Sequence, residues 1–167
     1  MKSLIPGSFA PITLGHVNII ERAAKMFDKV YVAVMNNDSA KHDASLSSKT
    51  YTLDIEKRLE LVKASVSHID NVEAILSEGM LIDLCDDIDT HIIVKGIRNG
   101  DDLEYEMKHA KWNKEHNPKI ETLFLPCDDS LATISSTLVR NFIDQKDYSG
   151  LDGLMAPNAI ELLKQYD

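Results

Sequence analysis

Apolar residues along this chain gather in five short runs, separated by stretches whose apolar positions recur every three to four residues. The runs predict strands over Lys2–Ile5, Val30–Met35, Val72–Ile75, Ile92–Lys95 and Glu121–Leu125. The periodic stretches predict helices over His16–Met26, Ile55–Ser65, Met80–Asp86, Leu103–Lys114 and Thr137–Ile143. A last helix is expected over Asn158–Gln165, with Pro157 near its start. Asp54 is placed to cap the helix at Ile55. Strands separated by helices imply right-handed βαβ units. The expected fold is therefore α/β: a doubly wound parallel five-stranded sheet with helices on both faces. Ligands of such sheets bind beyond the carboxyl ends of the strands, where the strand order reverses. The loop Gly7–Gly15 and the loop after Lys95 are the expected walls of that crevice. One segment breaks the alternation. Asn36–Lys49 is polar and aperiodic, and longer than most connections, which fits a lid or an insertion.

Composition narrows the class. The length of 167 residues suits a single domain with a real core. Hydrophobic and charged contents of 44% and 27% are ordinary for a soluble globular protein. A net charge of −9 argues against nucleic-acid binding, which needs a basic surface, but leaves room for a local cationic site. Cys85 and Cys127 stand far apart and outside any C-x-x-C, so both are expected to be buried hydrophobes. No apolar run reaches transmembrane length and the N-terminus enters a strand directly, so the expectation is a cytoplasmic protein without a membrane partner.

Three constellations carry chemistry. The first is Pro6-Gly7-Ser8-Phe9-Ala10-Pro11-Ile12-Thr13-Leu14-Gly15-His16. It delivers Thr13 and His16 to one face of a first helical turn, where free N–H groups and the positive dipole end suit a phosphate. The plainer alternative is a turn and a solvated imidazole. No Gly-Lys-Ser/Thr of a P-loop and no G-x-G-x-x-G is present. The second is Lys95-Gly96-Ile97-Arg98, followed by Asp101, Asp102 and Glu106. Two cations three residues apart at a strand end fit phosphates; alternatively they pair with Asp101 or Asp102. The third is Thr133-Ile134-Ser135-Ser136-Thr137, whose hydroxyls at a helix start either cap it or donate to a polyphosphate.

Together these motifs resemble the bacterial phosphopantetheine adenylyltransferases, members of the nucleotidylyltransferase superfamily, over nearly the whole chain. The first motif carries the (T/H)xGH signature. KGIRN…EYEM separates the chain from cytidylyltransferases and nicotinate-mononucleotide enzymes, which share only that first motif. The resemblance implies a Rossmann-like fold and transfer of AMP from ATP to 4′-phosphopantetheine with Mg²⁺, giving dephospho-coenzyme A and pyrophosphate, by a homohexamer. It implies catalytic roles for His16, Lys49 and Arg98. It implies ATP contacts from Ser8, Phe9, His16, Gly96, Ile97, Arg98, Glu106, Leu131, Ala132, Thr133, Ile134, Ser135, Ser136 and Thr137. The acceptor would be met by Ser8, Lys49, Leu81 and Lys95, with Lys41 as the alternative to Lys49. No side chain is assigned to the metal, which is expected to ride on ATP and water. Two departures stand out. Ala10 replaces the family's usual Asp, which could order the loop or place a metal-bound water, and Leu131 replaces a Trp. The rival expectations are a nucleotidylyltransferase with another acceptor or CTP, and a nucleotide-binding module whose turnover is impaired by Ala10.

Overall fold

The computed structural model describes residues 1–36 and 53–166. In chain order over these residues it runs β1 (Lys2–Gly7), α1 (Leu14–Met26), β2 (Lys29–Met35), α2 (Ile55–Val66), β3 (Val72–Ser77), α3 (Leu81–Asp87), β4 (Ile92–Ile97), α4 (Gly100–His116), β5 (Glu121–Pro126), α5 (Ser136–Asp144) and α6 (Pro157–Leu163). Short 3₁₀ turns lie at Asp129–Leu131, Tyr148–Leu151 and Lys164–Tyr166. The last helix thus ends at Leu163 and tightens into a 3₁₀ turn, rather than running to Gln165.

All four strand pairings are parallel, and the order is β3-β2-β1-β4-β5. The doubly wound sheet expected from the sequence is what the chain forms. The strands split their side chains by period two. Ile5, Val30, Val32, Val34 and Val94 enter the larger core, which α1, α2 and α6 cover with Ile20, Leu61, Val62 and Ile160. Leu4, Ala33 and Ile93 enter a smaller core on the other face, closed by Cys85 and the partly buried Leu81, Ile82, Leu84 and Ile88 of α3 and its end. Burial of both faces explains why the strands read as near-continuous apolar runs.

The order reverses between β1 and β4. There β1 pairs with β2 along six positions but with β4 only at Leu4↔Ile93. Pro6 offers no N–H to a ladder, so the two central strands part toward their carboxyl ends. The crevice that opens is bounded by the loops after β1 and β4. It is also held narrow. A Cβ at Gly96 would lie 2.8 Å from Ile19 Cγ1, so glycine there lets β4 press against α1.

Candidate active site

The first loop ends in a reciprocal cap. Thr13 is the N-cap of α1 and His16 its N3 residue. The Thr13 N–H donates to His16 Nδ1 at 3.0 Å, with Thr13 Oγ1 3.1 Å from the same nitrogen and 3.5 Å from the His16 N–H. In this capping box the imidazole takes the place usually held by Glu or Gln. An Nδ1 that accepts from a backbone amide cannot carry the proton, so neutral His16 keeps it on Nε2. Burial, and then the charges of Arg98 and Lys95, push the imidazole pKa down to about 4. His16 at neutral pH is therefore an uncharged N–H donor fixed in one tautomer beneath two cations. Phe9, buried and at φ +44°, packs edge-on against it with ring centres 5.2 Å apart. A left-handed phenylalanine is a strained choice, of the kind found where the surroundings overdetermine a functional turn.

The second loop supplies the cations, but paired. Arg98 donates from Nε (2.8 Å), Nη2 (3.1 Å) and its backbone N–H (3.1 Å) to the Asp102 carboxylate. The pairing raises the guanidinium pKa and lowers that of the carboxyl. Asn99 caps α4 through the Asp102 N–H at 2.9 Å. Lys95 Nζ lies 3.2 Å from Glu106 Oε2, one turn along α4. The pairing alternative therefore holds in the free protein: Asp102, not Asp101, takes Arg98, and Glu106 takes Lys95. Gly96 and Ile97 end β4 between the cations.

The third segment is brought alongside the first. Leu131 closes the 3₁₀ turn with its carbonyl 3.8 Å from the Cβ position of Gly15. Ala132 and Thr133 lead through buried Ile134 to α5. Three of the four hydroxyls of this segment are engaged. Ser135 is the N-cap and accepts from the Leu138 N–H at 3.1 Å, Ser136 Oγ donates to Pro11 O at 2.8 Å, and Thr137 Oγ1 accepts from Arg140 Nη2 at 3.0 Å. The cap reading is thus correct for Ser135, while Ser136 ties α5 to the first loop. Leu81 opens α3 just past the carboxyl end of β3, packed on the smaller core. Ser8 sits half-buried directly after β1. Lys49 and Lys41 lie outside the described residues, as does the Asn36–Lys49 segment beyond Asn36.

The chain matches the cytidylyltransferase-like family model over residues 4–142. It is 37% identical over 164 residues to a protein of Staphylococcus haemolyticus named phosphopantetheine adenylyltransferase, covering 98% of this chain and 95% of the relative. A protein of the same name from Prochlorococcus marinus is 38% identical over 167 residues, covering 99% of each. The chain belongs to the cytidylyltransferase-like family, in its phosphopantetheine adenylyltransferase branch. Among solved structures, a Vibrio parahaemolyticus protein described as a nicotinate-nucleotide adenylyltransferase superposes with a TM-score of 0.65 at 20% identity, covering 97% of both chains. A lipopolysaccharide core biosynthesis protein of Thermoplasma volcanium scores 0.51 at 19% identity, over 77% of this chain and 96% of that one. These two carry the fold alone.

Against the phosphopantetheine adenylyltransferase pattern, the structure places the departing Ala10 in a buried corner. Ala10 lines a small cavity with Pro11, Leu53, Arg140, Ile143 and Asp144, and its carbonyl accepts from Arg140 Nη1 at 2.6 Å. A carboxylate at this position would meet Arg140, which favours loop ordering over metal placement. Sequence reasoning missed Arg58. It is 1% exposed, yet donates from Nη1 to Ser8 O at 2.6 Å and from Nη2 to Asn36 Oδ1. A signal existed, because Arg58 falls on the apolar stripe Ile55, Arg58, Leu59, Val62, Val66 of α2, where a cation has no business unless it has work inside. Arg22 and Asn18 were missed as well. They reach from α1 to the Pro126 carbonyl and the Asp128 carboxylate, tying the first helix to the loop after β5. The two cysteines are free thiols: Cys85 is buried, with its pKa pushed up to about 11 by desolvation and Asp86, whereas Cys127 is only half-buried, contrary to expectation.

Proposed function

We propose that this chain transfers AMP from ATP to 4′-phosphopantetheine, forming dephospho-coenzyme A and pyrophosphate. The observation that carries the chemistry is His16, held as a neutral Nε2–H donor in the crevice that also receives Lys95 and Arg98. Full-length similarity to curated relatives of that name supports the choice of acceptor. A phosphate oxygen of the acceptor attacks the α-phosphorus. The bond from that phosphorus to the bridging oxygen breaks, and pyrophosphate leaves with the electron pair. The nucleophile is already an anion at neutral pH, so no side-chain base is required. The barrier is the approach of two anions in line, and catalysis is positioning and charge stabilisation.

His16 Nε2–H bonds the α-phosphate oxygens as their charge redistributes. Its neutrality matters: it adds directionality while Lys95 and Arg98 supply charge. Lys95, with Lys49, orients the incoming phosphate. Arg98 and the amino end of α5 take the departing pyrophosphate. To do so, Arg98 shares or exchanges Asp102 for phosphate oxygens, both of which it grips in the same forked geometry. Ser8 and Leu81 contact the acceptor, and Phe9, Gly96, Ile97, Glu106 and residues 131–134 complete the nucleotide site. Bound with ATP, Mg²⁺ would neutralise part of the triphosphate charge. Among the described residues the crevice donors are cations, hydroxyls and amides, and the carboxylates beside the two cations, Asp102 and Glu106, are engaged by Arg98 and Lys95. This donor set fits an ion that arrives on ATP and keeps its waters.

The chain also works as a homo-oligomer, with the hexamer of the resemblance as the assigned state. Leu103, Tyr105, Met107 and Trp112 of α4 and Leu123 of edge strand β5 are exposed, an apolar set suited to a second copy. Among the described residues no helix is long and apolar enough to cross a membrane, and the cytoplasm is the assigned location.

The test is turnover with ATP, Mg²⁺ and 4′-phosphopantetheine, reading pyrophosphate and the mass of dephospho-coenzyme A. Equimolar products are expected. Turnover with CTP or nicotinate mononucleotide, and none with phosphopantetheine, would replace this reading.

A further inference from the structure

We propose that Arg58 is a positioning residue for the first loop, setting the aim of the Phe9 N–H and of His16 from inside the core. The loop does not organise itself. Between the end of β1 and Thr13 three of its five carbonyls are taken by side chains from two distant helices: Ser8 O by Arg58 of α2, and Ala10 O and Pro11 O by Arg140 and Ser136 of α5. No hydrogen bond within residues 8–12 closes the turn. In a planar trans peptide, C=O and N–H point in opposite directions. Turning the Ser8 carbonyl onto Arg58 therefore turns the Phe9 N–H away from it, and that N–H has no partner among the described residues. Phe9 itself is held at φ +44°, against His16. Through its other nitrogen Arg58 also grips the Asn36 side chain just past β2, so one guanidinium sets two neighbouring sheet-edge segments.

A guanidinium 1% exposed is costly to bury, and well-packed apolar replacements of buried charges are often neutral or stabilising. Filling space at this position does not need an arginine. Donating to the Ser8 carbonyl from inside the core does need a hydrogen-bond donor there.

The inference rests on the adenylyl-transfer reading, and its test separates the two. Arg58→Met and Arg58→Lys are compared with the native chain for ATP stoichiometry, kcat and KM per ATP site, and amide exchange of residues 8–13. Misplacement of reacting groups by about 1 Å costs on the order of 10²-fold. Arg58→Met is therefore expected to lower kcat about 10²-fold per ATP-binding site, with the phosphopantetheine KM within about threefold, and to speed exchange in the loop. Arg58→Lys keeps one donor for Ser8 O and should recover at least about tenfold of that loss. If Arg58→Met yields no folded protein, Arg58→Lys alone decides, with faster loop exchange and a kcat loss of about threefold or more expected. Native kcat per site with unchanged loop exchange, in either folded variant, overturns the proposal. So does an equal kcat loss in both variants, because the retained donor would then do nothing. If the native chain releases no pyrophosphate, the reaction assignment fails, while ATP stoichiometry and loop exchange still judge Arg58.

Discussion

The two loops that flank the switch between β1 and β4 are prepared to different degrees. The first is finished. Three of its carbonyls are held by Arg58, Arg140 and Ser136, its histidine is locked in one tautomer, and His16 needs no rearrangement to donate. The second holds its cations in reserve, Arg98 on Asp102 and Lys95 near Glu106. The difference follows from charge. An uncharged donor can wait in a half-buried cap at far less cost than a charged one, whereas an unpaired cation at a crevice edge would attract any anion. Preorganisation thus sits where the transition state is met, and exchangeable ion pairs sit where the phosphates arrive and leave. Substitutions in the first loop should strike kcat, and those in the second should strike KM.

The largest effect is expected from His16→Ala. Losing one preorganised donor at a developing charge costs about 10²–10³-fold in kcat. ATP affinity should hold, because the phosphates keep Lys95, Arg98 and the α5 terminus. Steady-state kinetics beside calorimetric ATP titration measures both, and a kcat within a few-fold of native would erase the contrast between the loops.

The second loop should answer differently. Arg98→Ala removes charge-assisted bonds of about 1.5–3 kcal/mol each, so ATP should bind roughly ten- to a hundredfold more weakly. Lys95→Ala should mainly raise the KM for phosphopantetheine. Asp102→Asn frees Arg98 from a partly exposed pair. Such pairs are worth at most about 1 kcal/mol, so ATP should bind tighter by less than about fivefold. Weaker ATP binding in Asp102→Asn would mean that the carboxylate positions Arg98 rather than competing for it.

Protonation of His16 sharpens the comparison further. Its folded pKa of about 4 lies below the 6.5 of the unfolded side chain. Between those values the unfolded chain binds the extra proton. The stability His16 contributes is therefore complete above about pH 6.5 and is lost as pH falls toward 4. Thermal unfolding across this range should fall more steeply in the native chain than in His16→Gln. Nitrogen-15 shifts of the ring should show Nε2 protonated and Nδ1 bare at pH 7. A protonated Nδ1 would contradict the cap.

Much of this was legible in the sequence, for physical reasons that also mark where it stopped. The five strands were read from their apolar runs, and β2 ends at Met35 as expected, but the other four continue one or two residues farther, through Gly7, Ser77, Ile97 and Pro126. Those ends carry the site and so depart from the apolar pattern. Helix α4 begins at Gly100 rather than Leu103 because Asn99 caps a first turn whose Asp101 and Asp102 suit the helix dipole, not an apolar face. Its polar Asp102 and Glu106 turn inward to the cations while Leu103 and Trp112 face out, which inverts the usual amphipathic signal. His16, Lys95 and Arg98 could be named from spacing and resemblance. Their pairings and the tautomer could not, because both depend on contacts across the fold. Arg58 lies 50 residues from the carbonyl it holds, and only its misfit on an apolar stripe announced it.

The smallest expected effect concerns Ala10, the residue that departs from the family pattern. It lies in the first loop, so a role in ordering would show as kcat and stability, and a role with the metal would show as magnesium dependence. The structure favours the former, since Ala10 is 6% exposed and shares its small cavity with Arg140 and Asp144. A carboxylate there would draw Arg140 from the Ala10 carbonyl toward itself, close to a second carboxylate. Extra atoms in a packed corner cost about 1–3 kcal/mol, which pairing with Arg140 would offset in part. Ala10→Asp is therefore expected to change kcat/KM by no more than a few-fold and to shift the melting temperature by a few degrees. Its magnesium titration should superimpose on that of the native chain. A magnesium midpoint displaced several-fold would put the carboxylate beside the ion and make the native alanine a real handicap. Activity present in Ala10→Asp and absent from the native chain would reduce the native protein to nucleotide binding.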